Sequence, residues 1–233
     1  MTQDIYFYAS MLAHHSYALL DSLYTSVETL EGMPVTLLTS RELERKDVSL
    51  PGLLPLGPDA PYIQRLAERM KAGETDPSCN PVATLIATDS RLTQEQIERH
   101  LTSRPLCFTD TPGKQAYLRF YDPHIFPHFV RILSPERLKC LYGCNGEVLL
   151  WTYRFYGQWV PMPAPEPAGA VPSLWLIPQG QCESLFALGK VNGALKARQE
   201  QMGRPWKDFA EWAEAANAIE TDILKPTAST KPI

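Results

Sequence analysis

Residues 115–133 read QAYLRFYDPHIFPHFVRIL, and two periodicities meet inside this stretch. Its first half alternates. Ala116, Leu118 and Phe120 fall on one side of a pleated chain, Tyr117, Arg119 and Tyr121 on the other. At Asp122-Pro123 the pattern changes. Asp caps helices, Pro suits a first helical position, and Ile125, Phe126, Phe129, Val130 and Leu133 then recur at helical spacing. A strand is therefore expected to turn through a tight corner into a helix. Pro127 lacks the amide that a helix begun at Pro123 would need, so the regular helix is expected to start near Pro127.

Outward from the corner, the chain alternates short strands with amphipathic helices. Upstream, Leu106–Phe108 and Gln115–Tyr121 flank a Asp110-Thr-Pro-Gly113 turn and read as a hairpin. Thr93 and Gln96 have the form of a capping box, with Ile97 and Leu101 on the buried edge of the helix. Val82–Ala87 is an apolar run of strand length, and Ile63, Leu66, Ala67 and Met70 form a helical stripe. Residues 17–23 and 35–39 read as strands, while 5–12 fit a short strand or a helical turn. The charged run 41–47 reads as a solvated surface. Downstream, Ser134-Pro135 opens a helix that Gly143 ends, and Val148–Trp159 is rich in strand formers, divided at Gly157.

Residues 161–173 are Pro-rich and are expected to connect the main part, 1–160, to a small helical lobe over 174–224 and a tail over 225–233. The lobe is expected to hold one helix over 181–201 and another over 205–224. The main part is expected to fold without it. The class is α/β (mixed α+β): a mixed sheet with short flanking helices, followed by the lobe.

Composition narrows function. The net charge is −4, and residues 1–80 hold 11 acidic against 6 basic side chains, so a nucleic-acid partner is not expected. No apolar run approaches the roughly 20 residues of a membrane span, and no secretion signal is read at the start. Five cysteines, an odd number, suit a reducing cytoplasm.

The pieces YALLD at 17–21, GPDAPYIQRL at 57–66, ERHL at 98–101 and YLRFYDPHIF at 117–126 occur in one order. In that order they resemble the bacterial family of domain of unknown function 4123, over about Tyr17 to Gly143. The Arg-Phe-Tyr-Asp-Pro corner is the specific part. The resemblance implies an adaptor or chaperone of type VI secretion, which binds a toxic effector in the cytoplasm, often through a PAAR-type or other N-terminal region, and helps load it on the spike protein VgrG. It implies no catalysis and no cofactor. Asp21, Arg119, Tyr121, Asp122 and Pro123 form its structural motif. Arg119, half-buried, needs a carboxylate, and Asp21 is the expected partner.

Two sets of aromatics are candidates for partner binding. Trp206, Phe209 and Trp212 recur at three-residue steps. Trp151 and Trp159 lie in the strand-rich run, where alternation should expose one face. Two other functions are open. His124 with His128, and Cys140 with Cys144, have the four-residue spacing of a zinc site, which would make a metal-dependent hydrolase. Cys107 or Cys144 would serve a cysteine hydrolase, although no flanking signature supports either. An immunity-like protein that blocks a toxin is the third reading.

Overall fold

The computed structural model describes residues 3–21, 31–39, 50–76, 79–88, 91–103, 106–109, 115–165 and 176–225. The fold is mixed α/β. Its main sheet has six strands: β1 (Tyr17–Leu20), β2 (Thr36–Leu37), β3 (Gly52–Pro55), β4 (Val82–Ala87), β9 (Leu150–Phe155) and β10 (Gln158–Pro161). Their order is β10-β9-β4-β1-β3-β2, and every pairing is antiparallel. A small sheet joins β5 (Leu106–Thr109) to β6 (Gln115–Tyr117) as the expected hairpin, with β11 (Leu176–Ile177) parallel to β5. Mixed pairing is thus confined to the small sheet. A two-residue pair, β7 (Gly143–Cys144) with β8 (Glu147–Val148), completes the strands.

Both faces of the main sheet are covered, which is why β1 is buried at all four positions. Tyr17 and Leu19 point into one core, Ala18 and Leu20 into the other, as alternation requires. Helix α1 (Gln3–Ala13) covers the second face with α2 (Ile63–Ala72). The stretch 5–12 is helical because Tyr8 and Leu12, one turn apart, bury together there with Ala67 and Met70. The register between β1 and β4 slips between Leu19 and Leu20, which leaves Ala83 without an opposite residue. This bulge turns Val82 onto the same face as Leu85.

The opposite face carries α3 (Gln94–Thr102), α4 (Phe126–Ile132) and α5 (Pro135–Tyr142). The capping box on α3 forms, with Thr93 and Gln96 each accepting the other's backbone amide. Pro127 stands in the first turn of α4, one residue after the helix begins. Gly143 ends α5, as expected, without a left-handed conformation. Its φ is −90°, and the chain continues straight into β7. The charged run 41–47 and the turn 110–113 lie outside the described residues.

The C-terminal helices differ most from expectation. One helix over 181–201 is instead two, α6 (Gln179–Phe186) and α7 (Leu188–Met202), which meet at Ala187. Helix α8 (Phe209–Leu224) starts at Asp208, whose side chain accepts from the Glu211 amide; Trp206 therefore precedes the helix. These helices are not a detached lobe. Ile177 and Cys182 belong to the core beneath α4, and Val191, Leu195, Trp206 and Trp212 bury with Phe155 of β9. Arg131 of α4 pairs with Glu220 of α8, with side chains 5% and 14% exposed, and also donates to Asn217.

Two outcomes follow from this packing. A chain ending at residue 178 is expected to lose cooperative unfolding in urea, because it strips the cover from Phe155 and α4. Trp212→Ala is expected to lower stability by about 3–5 kcal/mol, read from the shift of the urea midpoint at unchanged slope.

Candidate functional site

After Tyr117 the chain leaves the β6 ladder, so the backbone of Leu118–Tyr121 must find other partners. Two buried hydroxyls supply them. Thr84 of β4 donates to the Tyr121 carbonyl at 2.8 Å, and Tyr153 of β9 donates to the Phe120 carbonyl at 2.8 Å. Burial pushes the Tyr153 phenol well above its ordinary value, so it keeps its proton. The chain then turns at Asp122. The Asp122 side chain accepts from the His124 amide at 2.8 Å, and its carbonyl accepts from the Phe126 amide at 2.9 Å. Phe126 lands flat on Tyr153, with ring centroids 4.2 Å apart.

This anchoring aims Arg119 at two carboxylates. Its Nη2 lies 3.5 Å from Asp21 and 3.4 Å from Asp122, and its guanidinium sits over the Tyr121 ring at 5.6 Å. Burial works against the charge, but Asp122, Tyr121 and Asp21 outweigh it and hold the guanidinium above its ordinary value. The expected Arg119–Asp21 pair is therefore present. It forms between two sheets, since Asp21 follows β1 while Arg119 follows β6.

The cluster lines a cavity of about 400 Å³ at the end of the main sheet. Asn80, Val82 and Ala83 wall it from the start of β4, Pro123 and His124 from the corner, and Arg154, Tyr156 and Gly157 from the β9–β10 turn. That turn is tight because Tyr156 and Gly157 both have positive φ, 46° and 88°. Arg154 spends one N–H on the Gly73 carbonyl at 2.9 Å, and Tyr156 Oη accepts from Trp212 Nε1 at 3.1 Å. The size is that of a ligand pocket.

Four of the five motif residues, Asp21, Arg119, Asp122 and Pro123, line this cavity, and Tyr121 supports Arg119 from below. The aromatic candidates are elsewhere. Trp151, Trp206 and Trp212 are buried, which leaves them no face for a partner, while Phe209 and Trp159 are half-buried. Trp151 packs on Phe120, Phe126 and Tyr142 instead. Sequence reasoning missed Arg154, and read Tyr156 only as one of the aromatics of the strand-rich run. Their signal was available: Tyr156-Gly157 marks a hairpin, and Arg154 is a charged residue on the less buried phase of an alternating strand.

The four-residue spacings do not assemble a metal site. Among the described residues, no group of three or more His, Cys, Asp or Glu is placed to hold an ion. His128 is used otherwise. Its Nε2 donates to Asn192 Oδ1 at 2.8 Å, and its Nδ1 accepts from Arg131 at 3.1 Å. Cys144 points its thiol at the Gln96 carbonyl and Cys140 at that of Glu136. The side chain of Cys107 lies outside the described residues.

With this geometry in place, comparison with known families is decisive for kinship. The chain belongs to the family described as Domain of unknown function (DUF4123), which it matches over residues 16–140. That span contains Asp21, Arg119, Asp122 and Pro123; Arg154 and Tyr156 lie beyond it. No curated protein and no solved structure matches the chain. Among the described residues, no helix is long and apolar enough to cross a membrane.

Arg119→Met is expected to cost about 1–3 kcal/mol in urea unfolding, because it leaves two carboxylates without their cation at a cavity mouth that water can enter. A pH effect is expected at the α4 end of the fold. Burial pushes the His128 imidazole down to about 4, and neighbouring Arg131 adds to this. The unfolded chain binds the proton first, near pH 6.5. Stability is therefore full above that pH and declines as pH falls toward 4, by about 3 kcal/mol from this group. Denaturant midpoints across that range should fall less steeply for His128→Gln.

Proposed function

We propose that this chain is an adaptor, or chaperone, that binds a type VI secretion effector in the bacterial cytoplasm and helps load it on the VgrG spike. The observation that carries the reading is family membership over residues 16–140, with the Arg-Phe-Tyr-Asp-Pro corner as the frame of the cavity described above. The geometry is compatible with work done by binding. The corner is held by buried hydroxyls and an aromatic stack, so the side chains at the cavity mouth are presented on a rigid frame. A binder of this kind needs a few anchoring groups in a pocket, with the surrounding contacts mainly excluding water.

The other two readings have less behind them. The hydrolase reading needs His124, His128, Cys140 and Cys144 to act together, and His128 and the two thiols instead contact other groups. No observation favours an immunity-like role.

Deleting the gene in its own bacterium tests the adaptor reading. The effector that co-purifies with the chain should vanish from the secreted fraction, as judged by mass spectrometry, while VgrG is still exported. Restoring the gene should restore the effector. Unchanged effector secretion in the deletion strain would overturn the reading.

A further inference from the structure

The carboxylates and cations of the cavity are not equally accessible. The Asp21 and Asp122 side chains are sunk, at 8% and 13% exposure, beneath an Arg119 that is 36% exposed. Arg154 and Tyr156 are half-buried at the same mouth. Arg154 has N–H groups beyond the one given to Gly73, and Tyr156 Oη accepts from Trp212, which leaves its proton to donate. Two carboxylates and two guanidiniums line the cavity, so its formal charges balance, but Arg119 stands out above the carboxylates and the groups a visitor would meet first are donors.

Arg119 also walls a second depression of about 240 Å³, and this one is apolar. Leu118, Ile125 and Phe129 form one side, Leu185 and Phe186 the other, where α6 meets α7. Phe186 is 74% exposed at its rim. Gly189 also lines it and is exposed, with open space where a Cβ would stand.

From this juxtaposition we infer that the two depressions form one recognition site for an extended segment of the client protein, with an Asp or Glu side chain against Arg119 and Arg154 and a nearby large apolar side chain in the groove. Charge complementarity selects the acidic group, and the shared Arg119 wall sets the two side chains a few residues apart. The identity of the client as a secreted effector rests on the adaptor reading; the chemistry of the site does not.

Labelled, amidated nonapeptides in a Gly/Ser background test this with the full chain by fluorescence anisotropy. Each carries one Glu and one Leu, one to four positions apart. At least one spacing should bind, and changing its Glu to Gln should weaken binding about tenfold or more, as loss of a charge-assisted contact does. Arg154→Gln should narrow the preference for the Glu over the Gln peptide severalfold, leaving the part that Arg119 supplies. Phe186→Ala, which removes the exposed rim of the groove, should reduce the advantage of Leu over Ala in the peptide while keeping that of Glu over Gln. If no spacing binds at millimolar peptide, or if neither variant changes these preferences, the inference is wrong. Such a result, with effector secretion still dependent on the gene, would leave the adaptor reading standing. Peptide binding as expected, with secretion unaffected by deletion, would do the reverse.

Discussion

Two hydroxyls buried from solvent hold the centre of this structure. Thr84 and Tyr153 reach from β4 and β9 to the carbonyls of Tyr121 and Phe120, at the point where the chain has left one sheet and not yet entered a helix. A segment of that kind, with Phe120 and Tyr121 fully buried, would otherwise carry unpaired acceptors, at a cost of about 1–3 kcal/mol each. The Phe126–Tyr153 stack then fixes where α4 begins. Because β4 and β9 are neighbours in the main sheet, the corner is fastened to two adjacent strands at once. The positions of Arg119, Asp122 and Pro123 follow from that fastening.

The ion cluster has a different role from the hydroxyls. Separations of 3.4 and 3.5 Å, both from the same nitrogen, make a charge contact and not a bidentate bond. Removing such charges from water costs about as much as their attraction returns. The cluster is better understood as fixing geometry. Asp21 ends β1, Asp122 starts the turn, and Arg119 bridges them, so the two sheets are registered at the mouth of the cavity. Sinking the carboxylates also leaves the guanidinium as the more exposed member of the cluster.

Much of this was legible in the sequence. The Asp-Pro corner, the capping box and the Val82–Ala87 strand each carry a local signal, and the Arg119–Asp21 pair follows from the need of a half-buried charge for a partner. What was not legible depends on tertiary contact. Gly52–Pro55 is a strand inside a Pro-punctuated stretch, because β1 offers it a ladder on one side and β2 on the other. Residues 5–12 have no decisive period and become helical through packing on α2. The tryptophans were misread for a related reason. Their spacing says which of them share a face, but whether that face meets solvent depends on α8 lying against β9, which periodicity cannot express. The Pro-rich stretch suggested separation, yet Met162 within it is buried and its amide bonds to the Trp151 carbonyl at 2.8 Å.

The division of labour within the site runs along the boundary of the family match. Residues 16–140 supply the carboxylates, Arg119 and the α4 wall of the groove. The segment beyond supplies Arg154, Tyr156 and the α6–α7 wall with Phe186 and Gly189. These two parts are not independent bodies, since Asn192 of α7 donates to the His124 carbonyl at 3.1 Å and also accepts from His128. The contact joins the corner directly to the helix that lines the groove. A change in the C-terminal helices can therefore alter the apolar wall without disturbing the hydroxyl anchors, which belong to β4 and β9. A change at those anchors would move both walls together. The cavity and the apolar depression are thus each built partly from residues 16–140 and partly from the segment beyond, and neither is complete without both.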